Sequence, residues 1–340
     1  MDAQSYYLHR ISPYIVRFGG GFGLRWYGVS YVAGFIVGLL LLRHLSKAGF
    51  LKIKFNEIDA LLTYLIIGVV AGGRIGYVLF YEPALLWDWG SGFPYWGLLA
   101  INKGGMSSHG GFLALIFMGV LFARKYGYPL LHIGDAVVIA APPGLFFGRM
   151  ANFINGELFG RPSTVPWAVC FPTEIMNWPS EKIQTLFHHL NENGMAFRDV
   201  NHLIESIPGN DAAASLVSPF LIPRHPSQIY EALLEGVALF AILWIARKKI
   251  KRDGMMIALF FWGYAVMRIF AEQFREPDAG IGYQWLGLTR GQWLSMGMLA
   301  AGGIFYYLSF MGETVLKKNL EKKSQDKAHK NVKRKISNEK

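Results

Sequence analysis

Cysteine is nearly absent from this chain: Cys170 stands alone in 340 residues. A single thiol excludes an intramolecular disulfide framework and any metal site built on clustered cysteines. A lone cysteine most often serves as a small buried apolar side chain. Charge is scarce too, at 17% of residues against 52% hydrophobic and 15% aromatic. No HExxH, GxSxG, phosphate-binding glycine loop or paired-histidine signature occurs, which argues against metalloprotease, serine hydrolase and ATP-driven chemistry. A cleavable leader also fits poorly, because no basic segment precedes a short apolar core and no small-residue cleavage site follows. The first apolar run is expected to stay as a helix.

Long apolar runs are what the sequence has in quantity. Stretches 26–42 and 291–311 hold no charged side chain, and roughly 20 apolar residues cross about 30 Å of hydrocarbon. The pattern predicts an all-α polytopic membrane protein with seven transmembrane helices, near 26–45, 57–80, 110–124, 134–153, 228–246, 255–274 and 291–312. Four of these are interrupted by charges. Basic residues in the short loops orient the set: Arg43, Lys47, Lys52 and Lys54 follow the first helix, Arg124 and Lys125 the third, and Arg247, Lys248, Lys249, Lys251 and Arg252 the fifth. Their side is expected to be cytoplasmic, with the N-terminus outside and the C-terminus inside. The long connection at about 162–224 then forms a small extracytoplasmic head between helices 4 and 5. Residues 1–315 are expected to form the transmembrane catalytic domain. Ten of the 34 Lys and Arg residues lie from Lys317 onward. That locates much of the +11 net charge in a basic cytoplasmic tail at 316–340, too poor in apolar residues to fold alone, and speaks against nucleic acid as its partner.

Three arginines, Arg74, Arg149 and Arg268, fall inside apolar spans, where a charge is costly and by default functional. Each lies some thirteen to sixteen residues into a helix running outward, hence roughly 20–25 Å from the inner edge at about 1.5 Å per residue. They could snorkel to headgroups or pair with carboxylates, as Arg268 could with Glu272 four residues on. They could equally form a phosphate site, since a guanidinium stays protonated and matches phosphate oxygens with a planar fork. Polar clusters surround them. GRMANFINGELFGR at 148–161 crowds Asn152, Asn155, Glu157 and Arg161 into a helix end, and GGMSSHGG at 104–111 carries His109 among small residues. HPSQIYE at 225–231 supplies helix-starting groups, Tyr264, Arg268, Glu272 and Arg275 share one helical stripe, and Trp26 and Tyr27 open the first helix. These clusters come from different spans yet meet at one face. Gly72-x-x-x-Gly76 and Gly34-x-x-x-Gly38 are read as close helix-packing motifs.

Taken with LRWYGVSY at 24–31, GGRIGYVLFY at 72–81 and RIFAEQFREPD at 268–278, these stretches resemble the prolipoprotein diacylglyceryl transferase family, in its order, over about residues 15–312. The resemblance implies a multi-pass enzyme of the bacterial inner membrane. Such an enzyme moves the diacylglyceryl group of phosphatidylglycerol onto the lipobox cysteine thiol of a prolipoprotein, forming a thioether and releasing glycerol-1-phosphate, without metal or cofactor. It implies that Arg149 and Arg268 are catalytic, gripping the phosphate, with His109 as candidate base for the substrate thiol and Arg268 a rival for that activation. Asn152, Asn155, Glu157, Gly160 and Arg161 would shape the headgroup pocket. Tyr27, Arg74, Gln228, Tyr230, Tyr264, Glu272 and Arg275 would position groups around it, and Cys170 has no role. The residues by themselves leave two rivals: a transporter of an anionic lipid or solute, and a transferase using another lipid phosphate. Nearly bare inner halves of the spans disfavour alternating access.

Overall fold

The structure is a computed structural model that describes residues 6–19, 22–90, 95–101, 104–277, 282 and 284–311. The basic tail expected at 316–340 lies outside the described residues. In chain order the elements are β1 (Tyr7–Leu8), β2 (Tyr14–Gly19), β3 (Phe22–Arg25), α1 (Trp26–Lys47), α2 (Ile58–Phe80), α3 (Ser108–Tyr126), α4 (Leu130–Ala140), α5 (Pro142–Asn155), β4 (Val169–Cys170), α6 (Ser180–Glu192), α7 (Val200–Ser206), α8 (Asp211–Val217), β5 (Pro223–Arg224), α9 (Ser227–Ala246), α10 (Met255–Ala271) and α11 (Arg290–Met311).

Among the described residues four helices are long and apolar enough to cross a membrane: α1, Phe55–Phe80, α9 and α11. The pair α4 and α5 makes a fifth if it is counted as one broken span. The chain is a mostly helical, polytopic membrane protein. Seven spans were expected, and the differences have local causes. The expected helix 134–153 breaks after Ala141, where Pro142 and Pro143 remove two amide donors. The helix expected at 255–274 is apolar but 17 residues long. The expected third span forms as α3, but its first turn carries Ser108 and His109 and its last turn Arg124 and Lys125, so it is too polar for the same class. On α1, Tyr31, Val32, Ile36 and Leu40 are exposed, a surface that suits hydrocarbon.

The described chain divides into two compact units. One comprises Met1–Leu40, Ala140–Ile242 and Trp262–Leu299; the other comprises Leu41–Ile139, Leu243–Phe261 and Ala300–Lys340. In the second unit α2 lies directly on α3. A Cβ at Gly76 would stand 2.7 Å from Gly110 Cα, and one at Gly68 would stand 2.9 Å from Ala114 O. The 72/76 motif therefore is a backbone-to-backbone contact. The 34/38 motif differs: a Cβ at Gly34 would reach Gly144 Cα at 3.3 Å, while Gly38 has nothing within 4 Å. Ser107 starts α3 by accepting from Gly110 N at 3.2 Å, and Gly127, at φ 75°, ends it in the left-handed conformation that glycine adopts without a Cβ penalty. Asp135, buried on α4, accepts from Gly254 N and Ile257 N at 2.7 and 2.9 Å and so caps the start of α10.

The first unit holds the head, whose fold the sequence does not disclose. Leu186, Leu190, Leu203, Ile207, Val217 and Cys170 form its apolar core. Asp199 and Asn210 cap α7 and α8 by accepting from His202 N and Ala213 N at 2.8 and 3.0 Å. A small sheet of order β1-β4-β5 ties it to the N-terminal segment, with β1 parallel and β5 antiparallel to β4; β2 and β3 form a hairpin.

Candidate active site

Within the first unit, three elements bring opposite charges together. Arg149 comes from α5, Glu231 and Glu235 from consecutive turns of α9, and Arg268 from α10, with Glu272 and Arg275 just beyond it. Arg149 reaches Glu231 Oε2 and Glu235 Oε2, each at 3.0 Å. Arg268 reaches Glu231 Oε1 at 2.7 Å, Glu235 Oε1 at 3.3 Å and Glu272 Oε2 at 2.9 Å. Arg275 faces Glu231 Oε1 at 3.4 Å. Both glutamates of α9 are 0% exposed, whereas the arginine side chains retain 17% and 11% exposure. The carboxylates lie behind and the guanidinia in front, and two like charges are held side by side by shared counter-ions. Around Glu235 the helix is π-helical, over Ala232–Ala238, a local widening that recurs at functional sites. There Gly236 lets α9 approach α5 closely: a Cβ would stand 2.6 Å from Phe146 Cβ.

The helix-end motif after α5 folds into a loop tied to α1 and to the start of α9. Gly156 and Leu158 take φ of 66° and 57°, and the non-glycine outlier marks local strain. Tyr27 donates to Glu157 Oε1, and Asn152 Nδ2 donates to the same atom at 2.7 Å and to the Tyr27 hydroxyl. Gln228 Nε2 donates to Glu157 O at 2.7 Å, and Ser227 Oγ to Leu158 O at 3.0 Å. Gly160 has no room for a side chain, since a Cβ would lie 2.5 Å from both His225 O and Phe274 O. Arg161 Nε donates to Arg275 O at 2.9 Å. Tyr230 accepts from Trp167 Nε1 at 2.7 Å and meets His225 Nδ1 at 3.2 Å; burial lowers the His225 pKa. Tyr264 lies within electrostatic reach of Glu235, Arg149 and Arg268.

Two of the residues singled out from sequence belong to the other unit. Arg74 is buried, and its guanidinium is spent on backbone: Nε on Leu98 O at 2.8 Å, Nη1 on Gly104 O and Gly105 O at 2.6 and 3.0 Å, and Nη2 on Gly97 O at 2.6 Å. Among the described residues it pairs with no carboxylate; it fastens the backbone at Gly97 and Leu98 and at Gly104 and Gly105. His109 is exposed in the first turn of α3. Cys170 is buried in β4, and burial followed by the Glu174 charge pushes its thiol pKa up, which suits a structural cysteine. Glu235 was not singled out from sequence, and Glu231 only as part of a motif; two carboxylates four residues apart inside an apolar helix were the available signal. Among the described residues no group of three or more His, Cys, Asp or Glu side chains could hold a metal ion.

Fold and site together define a polytopic, helical membrane protein with a buried arginine–glutamate lattice. The sequence profile of the prolipoprotein diacylglyceryl transferases matches residues 13–308, and the chain belongs to that family. It is 43% identical over 322 residues to the phosphatidylglycerol–prolipoprotein diacylglyceryl transferase of Bdellovibrio bacteriovorus, covering 87% of this chain and 92% of that one. The Rhodospirillum rubrum protein of the same name is 38% identical, covering 88% and 92%. That of Neisseria gonorrhoeae is 37% identical, covering 86% and 94%.

Proposed function

We infer that this chain transfers the diacylglyceryl group of phosphatidylglycerol to a prolipoprotein, the first step of bacterial lipoprotein maturation. Family membership over most of the chain supports this reading, and the Arg149–Arg268 pair is the observation that carries its chemistry. The acceptor is a cysteine thiol. A sulfur–carbon bond forms at the glyceryl carbon as its carbon–oxygen bond to phosphate breaks. The thiol proton ends on the departing glycerol-1-phosphate, so the reaction balances without redox partner or nucleotide. What it needs is charge stabilisation at the leaving phosphate and a thiolate. Arg149 and Arg268, partly open and supported from behind by Glu231 and Glu235, grip the phosphodiester. Glu157, Asn152, Asn155, Tyr27, Gly160 and Arg161 shape the headgroup pocket, with Gln228, Tyr230, Tyr264, Glu272 and Arg275 holding its walls. His109 takes the thiol proton, with electrostatic activation by Arg268 as the rival, and Arg74 holds the backbone of its own unit at Gly97, Leu98, Gly104 and Gly105. No cofactor is required.

The wider arrangement follows the charge bias of the loops: seven membrane crossings in the bacterial inner membrane, the N-terminus and the 162–224 head outside, residues 1–315 as the catalytic domain and the basic tail in the cytoplasm. The deciding experiment incubates purified protein with phosphatidylglycerol vesicles and a synthetic peptide bearing a lipobox cysteine. The expected product is a peptide heavier by one diacylglyceryl group, with equimolar glycerol phosphate. Lipid flux without covalent product would instead assign a transporter.

A further inference from the structure

A cavity of about 490 Å³ opens in the first unit beside the lattice. Its walls come from the N-terminal segment and hairpin, the Asn155–Phe159 loop, the head, and the segment after α10. It shares three residues with the candidate active site: Asn155, Glu157, held by Tyr27 and Asn152, and Arg275, held against Glu231. An occupant touching Arg275 would therefore be linked through Glu231 to Arg149 and Arg268.

Three properties of the recess describe what fits it. The first is size: at about 490 Å³ the recess exceeds what a headgroup glycerol occupies and lies within the range of ligand pockets, room enough for a few residues of extended polypeptide. The second is composition, with apolar Ile11, Met176 and Ile204 alternating with the amides of Asn177 and Asn201. Apolar side chains suit side chains, and amides suit a backbone that presents N–H and C=O groups in turn. The third is unmet bonding capacity. Asn155 Oδ1 and His9 Nε2 are buried on residues lining the recess and have no hydrogen-bond partner among the described residues, a condition that normally marks a missing ligand or water.

The geometry points to this recess as the binding site for the protein substrate's polypeptide just beyond its acceptor cysteine. The inference rests on the transfer reaction proposed above, in which lipid and peptide must be held at once. The lipid phosphate then belongs to the arginines and the exported stretch of the peptide to the head-side recess. Specificity for the residues that follow the cysteine is read by Met176 and Ile204, and the side-chain amides of Asn177 and Asn201 meet its backbone.

The test uses the full chain in phosphatidylglycerol micelles with two synthetic peptides, one ending at the lipobox cysteine and one extended by several residues. Met176, 54% exposed at the rim, tolerates replacement, and Met176→Trp fills the recess. The expected result is a KM for the extended peptide raised at least about fivefold, with the KM values for the short peptide and for phosphatidylglycerol unchanged. Asn201→Trp, also at an exposed position, repeats the test from α7. A higher KM for the lipid instead would hand the cavity to the headgroup and overturn the assignment, as would no change in any KM. A benzophenone side chain introduced at Met176 gives a readout independent of turnover. Cross-linking to the extended peptide without transfer would sink the proposed reaction alone, and transfer without cross-linking would sink the recess alone.

Discussion

Arg268 meets three carboxylates at once, at 2.7, 3.3 and 2.9 Å, and that makes alanine a poor probe of its role. Removing it strands buried Glu231 and Glu235, at a cost of about 3–5 kcal/mol, so Arg268→Ala is expected to fold badly. Arg268→Lys keeps the charge but loses the planar fork. It is expected to fold and to lose about a hundredfold or more in kcat, read by transfer assay beside a thermal melt. Glu235→Gln separates charge from shape. The lattice sets Arg149, Arg268 and Arg275 against Glu231, Glu235 and Glu272, and neutralising one carboxylate leaves an excess cation. Phosphatidylglycerol should bind more tightly, lowering KM, while less well-held guanidinia and slower release of the anionic product lower kcat by about tenfold. A raised KM would show that Glu235 only holds the fold. At this scale the arginines were legible, because a charge within an apolar run is rare. The fate of Arg74 was not, because its partners are the backbone carbonyls of Gly97, Leu98, Gly104 and Gly105, which no side-chain pattern announces.

The helix contacts divide two identical motifs. Gly76→Ala puts a methyl group against the Gly110 backbone, 2.7 Å from its Cα, which cannot move without separating α2 from α3. A loss of about 1–3 kcal/mol is expected. Gly38→Ala meets nothing within 4 Å and should be neutral or slightly stabilising through helix propensity; melting both variants in detergent decides it. The G-x-x-x-G spacing reports that a helix can be approached closely. Whether a neighbour comes that close depends on packing partners far along the chain. For the same reason α1, α2, α9 and α11 were legible to within a few residues as unbroken apolar runs, whereas the Pro142 break turned one expected span into two helices. The head could not be read at all, since its core gathers short segments from β4 through α8 with no period of their own.

For the whole molecule, the sharpest acid response should come from the N-terminal segment. His9 packs between Phe153 and Phe171, and burial lowers its pKa to about 4, whereas an unfolded histidine titrates near 6.5. Its neutral form is the folded form, so its contribution is whole above pH 6.5, declines as pH falls through 6.5 toward 4, and changes no further below that. His9→Phe should shrink the drop in thermal midpoint between pH 7.5 and 4.5 relative to the parent; an equal drop in both proteins would remove His9 as the cause. The +11 net charge acts at a different range. Attraction between basic surface and an anionic bilayer fades with a Debye length of about 8 Å at physiological salt. The counter-charges of the lattice are enclosed by protein, at 0% exposure for Glu231 and Glu235, and mobile ions do not reach them. Raising ionic strength is therefore expected to weaken the contact of basic surface with anionic headgroups, the spans themselves staying in the bilayer, while the field of the buried carboxylates on Arg149 and Arg268 persists.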